Sequence, residues 1–397
     1  MHRDIPVALI DIESGVNHIL KIYNKEHFPV GVTAHGYDDI KWLEVSLTSW
    51  ERSRQIPAVR QNLAGLERIF GLTITEALSL SFKVSLTDTY WFLPEEFKDE
   101  VTWKDVNFYD NGFSAELACH IFAERGRIKV ETPPSFNNPD MTTDGMLEKA
   151  WAYENGIPIL LKRGELGSLS QKYCRGKNLL SANEVAASLI AKTMKVPAVP
   201  YKAITVQETG EVISGCPSFI QDENTDFVTT MQLQRQYGIR MGQDTYDFYV
   251  NKLHMQKEIN RMILFVHLIH DADKHDKNFG ILRNASTLET MRFAPLFDHG
   301  SSFGYSEEQE TVKPFLATRM EQLRLLNEIP KNTPSKREIA NLIKKAYELF
   351  DIPEIVYDKV LQDLDVTYKM FDEVIREKEL HFDNEQTQDL EMEEKNS

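Results

Sequence analysis

The chain has 397 residues, with 61 Asp plus Glu against 45 Lys plus Arg and a formal net charge of −16. Hydrophobic residues at 42% and charged residues at 27% are the balance of a globular protein, and the length holds a sizeable core and two or three domains. The charge excludes a protein that coats nucleic acid or anionic lipid over a broad face, because both need a basic surface.

Cys119, Cys174 and Cys216 lie far apart and form no C-x-x-C pair, which argues against a thiolate zinc site or a disulfide framework. The first residues lack the apolar run of a signal peptide. The most apolar stretch, MILFVHLI at 262–269, falls far short of the roughly 20 residues a membrane span needs. The expectation is a cytoplasmic protein with no membrane and no direct nucleic-acid contact.

In chain order, VALIDI (7–12), HILKIYN (18–24) and PVGVTA (29–34) read as short strands. Helical periodicity follows around Leu63, Leu66, Ile69 and Phe70, ended by Gly71. SLTDTYWFLPEE (85–96) and VTWKDVNFYDNGFS (101–114) are rich in aromatics, with a turn signal at Asp110-Asn111-Gly112. TPPSFNNPDMTTDG (132–145) is loop-like. Then MLEKAWAYENGIPILLKRG (146–164) reads as strand, Asn155-Gly156 turn, strand. SANEVAASLIAKTMKV (181–196) reads as a helix stopped by Pro197, with Ser181 and Glu184 spaced as a capping box. YKAITVQE (201–208) and EVISGCPSFI (211–220) read as strands joined at Thr209-Gly210.

From about Asp222 the character is helical, including one long helix over 246–270. The polar run DADKHDKNFG (271–280) interrupts it, RFAPLFDHG (292–300) is β-type, and three more helical stretches follow. The last 15 residues, 383–397, hold six acids against one Lys and are expected to be a disordered tail.

The sharpest chemical signal is DKHDKNFGIL (273–282) followed by PLFDHG (295–300). Phosphoryl transfer from a nucleotide needs one carboxylate for the attacking hydroxyl, and an amide oxygen with a second carboxylate for magnesium. Asp273 and Asn278 have the D-x-x-x-x-N spacing of a kinase catalytic loop. Asp298, after a short apolar run, sits where a metal-binding Asp sits. Lys162 closes an apolar strand and can reach phosphates if a carboxylate holds it; Glu184 on the next helix is the natural partner. The alternatives are a surface lysine at a strand end and a Glu used only in the capping box. Of the acids flanking Asp273, neither Asp271 nor Asp276 has the five-residue step to Asn278. The loop at 141–149 carries the single glycine Gly145, and its backbone N–H groups with Lys149 suit phosphate.

This set resembles the HipA-like Ser/Thr protein kinases of bacterial toxin–antitoxin pairs. In that family the phosphate loop reads roughly S-x-x-G-x-x-x-K, matched by Thr142, Gly145 and Lys149 with Thr for Ser. The Asn-Glu opening the next helix is matched by Asn183-Glu184. The loop D-G-H-x-K-N-F is matched by Asp273, His275, Lys277, Asn278 and Phe279, with Lys274 for Gly, and P-x-x-D by Pro295 and Asp298. The matches span roughly residues 130–310. The resemblance implies Asp273 as catalytic base, Asn278 and Asp298 on Mg²⁺, and Lys162 on ATP phosphates oriented by Glu184. It further implies Lys149 and Gly145 closing over the phosphates, and a hinge at Phe219, Ile220 and Gln221 facing adenine. In some members the loop hydroxyl is autophosphorylated; Thr142, with Thr143 beside it, is the equivalent here. His275 suggests contact with the transferred phosphate, against the alternative of a histidine bonded within its own loop. His299 departs from D-F-G.

The expected architecture is therefore α+β: a two-lobed protein-kinase-like fold with an extra mixed N-terminal domain. The divisions are 1–130 for that domain, 131–222 for the small lobe, 223–382 for the helical large lobe and 383–397 for the tail. The expected activity is ATP/Mg-dependent phosphorylation of a protein Ser/Thr, with an antitoxin as a further partner. Two other readings stand beside it. One is a phosphoinositide or small-molecule kinase with a D-x-H-x-x-N loop, which the acidic balance disfavours. The other is a pseudokinase binding module, which the joint presence of Lys162, Asp273, Asn278 and Asp298 disfavours.

Overall fold

A computed structural model describes residues 1–34, 39–57, 67, 82–123, 138–164, 174, 177–303, 313–326, 329 and 333–395, with side chains as far as residue 380. The chain opens with an antiparallel hairpin, β1 (Ala8–Glu13) and β2 (Val16–Ile22). Helix α1 (Ile40–Arg52) starts where Asp39 caps the Lys41 N–H, and packs Leu43, Leu47 and Trp50 against Val7, Ile19, Phe28 and Tyr90. The expected third strand at 29–34 is a turn instead: Val32 N–H donates back to Pro29 O, and Gly31 holds φ +87°. Of the helix expected around Leu63–Gly71, Glu67 is described and is helical, and the rest lies outside the described residues. The aromatic segments fold into a core of their own, with Trp91, Trp103 and Phe108 packed on Trp151.

The second sheet is antiparallel with order β3-β4-β6-β5: β3 (Lys149–Glu154), β4 (Ile157–Lys162), β5 (Lys202–Thr205) and β6 (Val212–Pro217). Asn155 and Gly156 both take positive φ, as a two-residue hairpin turn requires. The register places Lys149 and Ser214 on either side of Lys162. Helix α2 (Leu179–Met194) lies between β4 and β5 in sequence. It begins two residues before Ser181, with Asn178 as N-cap, so the expected capping box does not form. Ser181 Oγ donates to Lys162 O, and Glu184 turns to the Lys162 side chain.

The region read as helical from Asp222 opens with a strand. β7 (Thr225–Thr229) pairs with β8 (Gly280–Asn284), which pairs with β9 (Thr290–Phe293). A capping box of Thr229 and Gln232 then starts α3 (Thr230–Tyr237). The expected helix over 246–270 is two pieces. A wide turn over Phe248–Lys252 and a left-handed His254 end the first, and α4 (Gln256–Leu268) is the second. α4 is buried on nearly every side (Ile259, Met262, Ile263, Phe265, Leu268) and is the axis of the largest core. α5 (Arg319–Arg324), α6 (Lys336–Leu349) and α7 (Glu354–Lys395) complete it. α7 runs on through the acidic stretch expected as a tail.

The architecture is α+β: a sheet with one helix, followed by a mainly helical half, with a mixed N-terminal part packed on both. Among the described residues no helix is long and apolar enough to cross a membrane.

Candidate active site

The last residue of β4, Lys162, is buried, and its ammonium meets three groups from three other elements. Nζ donates to Glu184 Oε1 of α2 at 3.0 Å, to Asp298 Oδ1 at 2.7 Å and to Tyr201 OH at 3.3 Å. Burial opposes the charge, but Asp298 and Glu184 outweigh it and hold the ammonium well above its ordinary pKa. Burial likewise opposes ionisation of Asp298, and Lys162, Lys149 and Lys274 reverse it, so this carboxyl lies far below the usual range. At Glu184 burial prevails over Lys162 and pushes the carboxyl up to about 7. The expected Lys162–Glu184 pair is therefore present, and Asp298 joins it.

Asp298 sits in the left-handed region at φ +61°, uncommon for a residue with a side chain. Three bonds hold it there: Lys162 on the carboxylate, Lys274 Nζ on its carbonyl at 3.3 Å, and its own N–H donated to Tyr201 OH at 3.4 Å. The carboxylate remains partly open to solvent.

The loop between α4 and β8 is closed by its own backbone. Asn278 Nδ2 donates to Asp273 O at 3.1 Å, and the Asn278 and His275 N–H groups donate to His275 O and Asp273 O. This turns the Asp273 side chain outward, where Oδ1 pairs with Lys313 at 2.6 Å. His275 accepts the Lys277 N–H on Nδ1 at 3.3 Å, the bond within its own loop that was the alternative to a phosphate contact. Asp276 faces the other way, to Gln234 and the start of α3.

The loop at 141–149 reaches the same site from above. Lys149 Nζ donates to Asp144 O at 2.6 Å, and the Asp144 carboxylate pairs with Lys277 at 3.3 Å. Gly145 has φ +105°, a backbone conformation that strains any residue with a Cβ, so this position favours glycine. Thr142 is not brought to the site: it is buried, and its hydroxyl donates to Val84 O at 2.8 Å. Thr143 Oγ1 donates to Pro139 O at 2.7 Å. At the other rim, Phe219 stacks on Phe297, directly before Asp298, with ring centres 5.3 Å apart. The Ile220 side chain is in the core and its carbonyl accepts from Ser218 Oγ, while Gln221 is exposed.

Sequence reasoning missed Tyr201, Lys313 and Asp144 and treated Lys274 only as a departure. Their roles come from contacts across up to 133 residues of chain. No local spacing announces such contacts. Among the described residues no three His, Cys, Asp or Glu side chains cluster to hold a metal. Asp298 and Asn278 oxygens are the hard donors that suit Mg²⁺, which takes few protein ligands and keeps several waters. Asn278 uses only its Nδ2 within the loop, so Oδ1 is the atom that remains for a cation.

Comparison with known proteins gives the following. The chain is similar to the Helicobacter pylori proinflammatory kinase CtkA at 13% identity and TM-score 0.46, over 59% of this chain and 92% of that one. It is similar to Shewanella oneidensis HipA, solved with HipB and operator DNA, at 13% identity and TM-score 0.49, over 95% and 98% of the two chains. No curated protein matches it. The family model for the HipA-like C-terminal domain matches residues 143–351, more than half of the chain and all of the site from Thr143 to Lys313. The chain belongs to the HipA-like family.

Proposed function

We propose that the chain is an ATP- and Mg²⁺-dependent kinase that transfers the γ-phosphate to a protein Ser or Thr hydroxyl. The observation that carries this reading is the buried Lys162 held jointly by Glu184 and Asp298, beside a loop that turns Asp273 outward. In a family of kinase type, these are the groups phosphoryl transfer needs.

Lys162 would bind the α- and β-phosphates, with Glu184 fixing its direction. Lys149 and the Gly145 backbone would close over the nucleotide, and the Phe219–Gln221 segment would face the adenine. Asp298 and Asn278 would hold Mg²⁺, which neutralises phosphate charge when bound. Asp273 would orient the acceptor hydroxyl and take its proton, once Lys313 yields its place on the carboxylate. His275 would stand at the transferred phosphate.

The same reading divides the chain at about residues 130, 222 and 382, and places the protein in the cytoplasm. On family membership alone it adds a protein partner of antitoxin type. It also includes autophosphorylation at Thr142 or Thr143. For that, the Thr142 hydroxyl must leave Val84 O, and the added charge of about −2 would repel nucleotide.

The test is incubation of the full chain with labelled ATP and Mg²⁺. Wild type should label itself or a protein, and Asp273→Asn should not. Labelling of lipid alone would overturn the reading. Mass spectrometry of the same sample should find phosphate on Thr142 or Thr143; phosphate on neither removes the autophosphorylation part.

A further inference from the structure

Three buried polar side chains that carry no role in the proposed transfer step join the two halves of the site. Asp271 and Lys274 are at most 3% exposed, and His299 is 1% exposed. Asp271 Oδ1 accepts the backbone N–H of Asp273 at 3.1 Å. Asp271 Oδ2 accepts His299 Nδ1–H at 2.9 Å and lies 3.3 Å from Lys274 Nζ. Lys274 Nζ also donates to the carbonyls of Phe297 and Asp298 at 2.5 and 3.3 Å. The His299 N–H donates to Glu184 Oε2 at 2.8 Å. A continuous polar path thus runs from Lys162 through Glu184, His299 and Asp271 to the backbone of Asp273.

Burying an ammonium and a carboxylate together is weak as a source of stability, because apolar side chains of similar volume do as well. What the pair does provide is a fixed distance. Lys274 is bonded to both residues that flank the Phe297–Asp298 peptide, and Asp271 is bonded to the Asp273 amide. Each of the two carboxylates assigned to chemistry is therefore anchored through its main chain as well as through the contact its side chain makes with Lys162 or Lys313. Lys274 and His299 are also the two positions at which this sequence departs from D-G-H and D-F-G. The departures meet at one carboxylate, Asp271.

Resting on the kinase reading, we infer that Asp271, Lys274 and His299 form a buried strap that sets Asp273 against Asp298. They are positioning residues for the transfer step and contribute little to nucleotide affinity, since none of them touches Lys162 or the loop at 141–149.

The test uses the full chain with Lys274→Met, Lys274→Arg and Asp271→Asn. It reads kcat, the dissociation constant for Mg·ATP, and hydrogen exchange at the Asp273 and His299 amides. Because a misplacement of about 1 Å costs on the order of 100-fold in rate, Lys274→Met should lose about 100-fold in kcat with Mg·ATP affinity held within about threefold. Lys274→Arg, which keeps the charge and donors, should recover most of that loss. Asp271→Asn should speed exchange at the Asp273 amide. The inference is overturned if Lys274→Met keeps wild-type kcat, if its kcat and affinity fall in parallel, or if Arg does not rescue. Should the wild-type chain transfer phosphate to nothing, the kinase reading fails by itself. The exchange measurement still decides the strap, and unchanged protection at both amides in the variants rejects it.

Discussion

Lys162 shows how one side chain organises a site. Its ammonium is shared by two carboxylates that respond in opposite directions: Asp298 is driven far below its ordinary pKa, while burial lifts Glu184 to about 7. A carboxyl raised on folding contributes stability that is fully present below its ordinary 4.5 and is lost as pH rises through about 7. The grip on Lys162 has the opposite dependence, because it needs the ionised form. Glu184→Gln separates the two. Folding stability should change by no more than about 1 kcal/mol at pH 7, since a neutral group suits the burial. Mg·ATP affinity should fall about tenfold, because an amide cannot both accept the His299 N–H and hold an ammonium. Isothermal titration and denaturant unfolding of the variant check both arms. Lys162, Glu184, Asp273, Asn278 and Asp298 were readable as candidates because each type has a recognisable chemistry at a recognisable spacing. Tyr201 and Lys313 were not, because a tyrosine and a lysine far along the chain acquire their place only through tertiary approach.

At the level of elements, the tight point is the β7–β8 pair. A Cβ on Gly280 would strike Val228 O and stand 2.9 Å from Thr229 Cα, so β8 lies as close to β7 as glycine permits. Gly280→Ala should therefore push the strands apart and cost about 2 kcal/mol, within the range for overpacking. It should also lower phosphate transfer, since Asn278 is two residues away. A calorimetric midpoint unchanged from wild type would contradict this. The hairpin β3–β4 was readable from Asn155-Gly156, because that dipeptide suits the positive φ a short hairpin demands. β7 was not, because TDFVT is short, opens with a polar pair, and finds its partner more than 50 residues later. The Ser181–Glu184 spacing misled for a related reason: a capping box and an inward-facing Glu look alike until the helix start is known.

Across the whole molecule, the N-terminal part is fastened to the second half by a buried carboxylate. Asp226 of β7 accepts from Thr89 N–H and Oγ1 at 2.9 and 2.8 Å, from Arg283 of β8 at 2.7 Å and from His2 at 3.2 Å. Arg283 also donates to Tyr90 OH. Burial opposes ionisation of Asp226, but His2 and Arg283 prevail and hold the carboxyl far below its usual range. A depressed carboxyl contributes stability that is present above its ordinary 3.8 and lost as pH falls below it. Wild type should thus lose denaturant resistance below pH about 4, and Asp226→Asn should show a shallower acid limb. Arg283→Met strands the buried charge and should cost about 3–5 kcal/mol at pH 7. None of this was readable in sequence, where His2, Asp226 and Arg283 are ordinary residues more than 50 positions apart.

α2 is fixed at its other face as well. Asn183 donates to Gly300 O and Ser302 O at 2.8 and 3.0 Å and accepts from Tyr347 OH of α6 at 2.8 Å. Any swing of α2 against the helical half, of the kind that gates many two-lobed enzymes, has to break these three bonds. Among the described residues, the short arch around Asp144 and Gly145 meets the catalytic loop through an exposed ion pair of Asp144 with Lys277. An exposed pair of this kind is worth at most about 1 kcal/mol and is screened by salt. On the kinase reading, nucleotide residence time should then shorten as ionic strength rises.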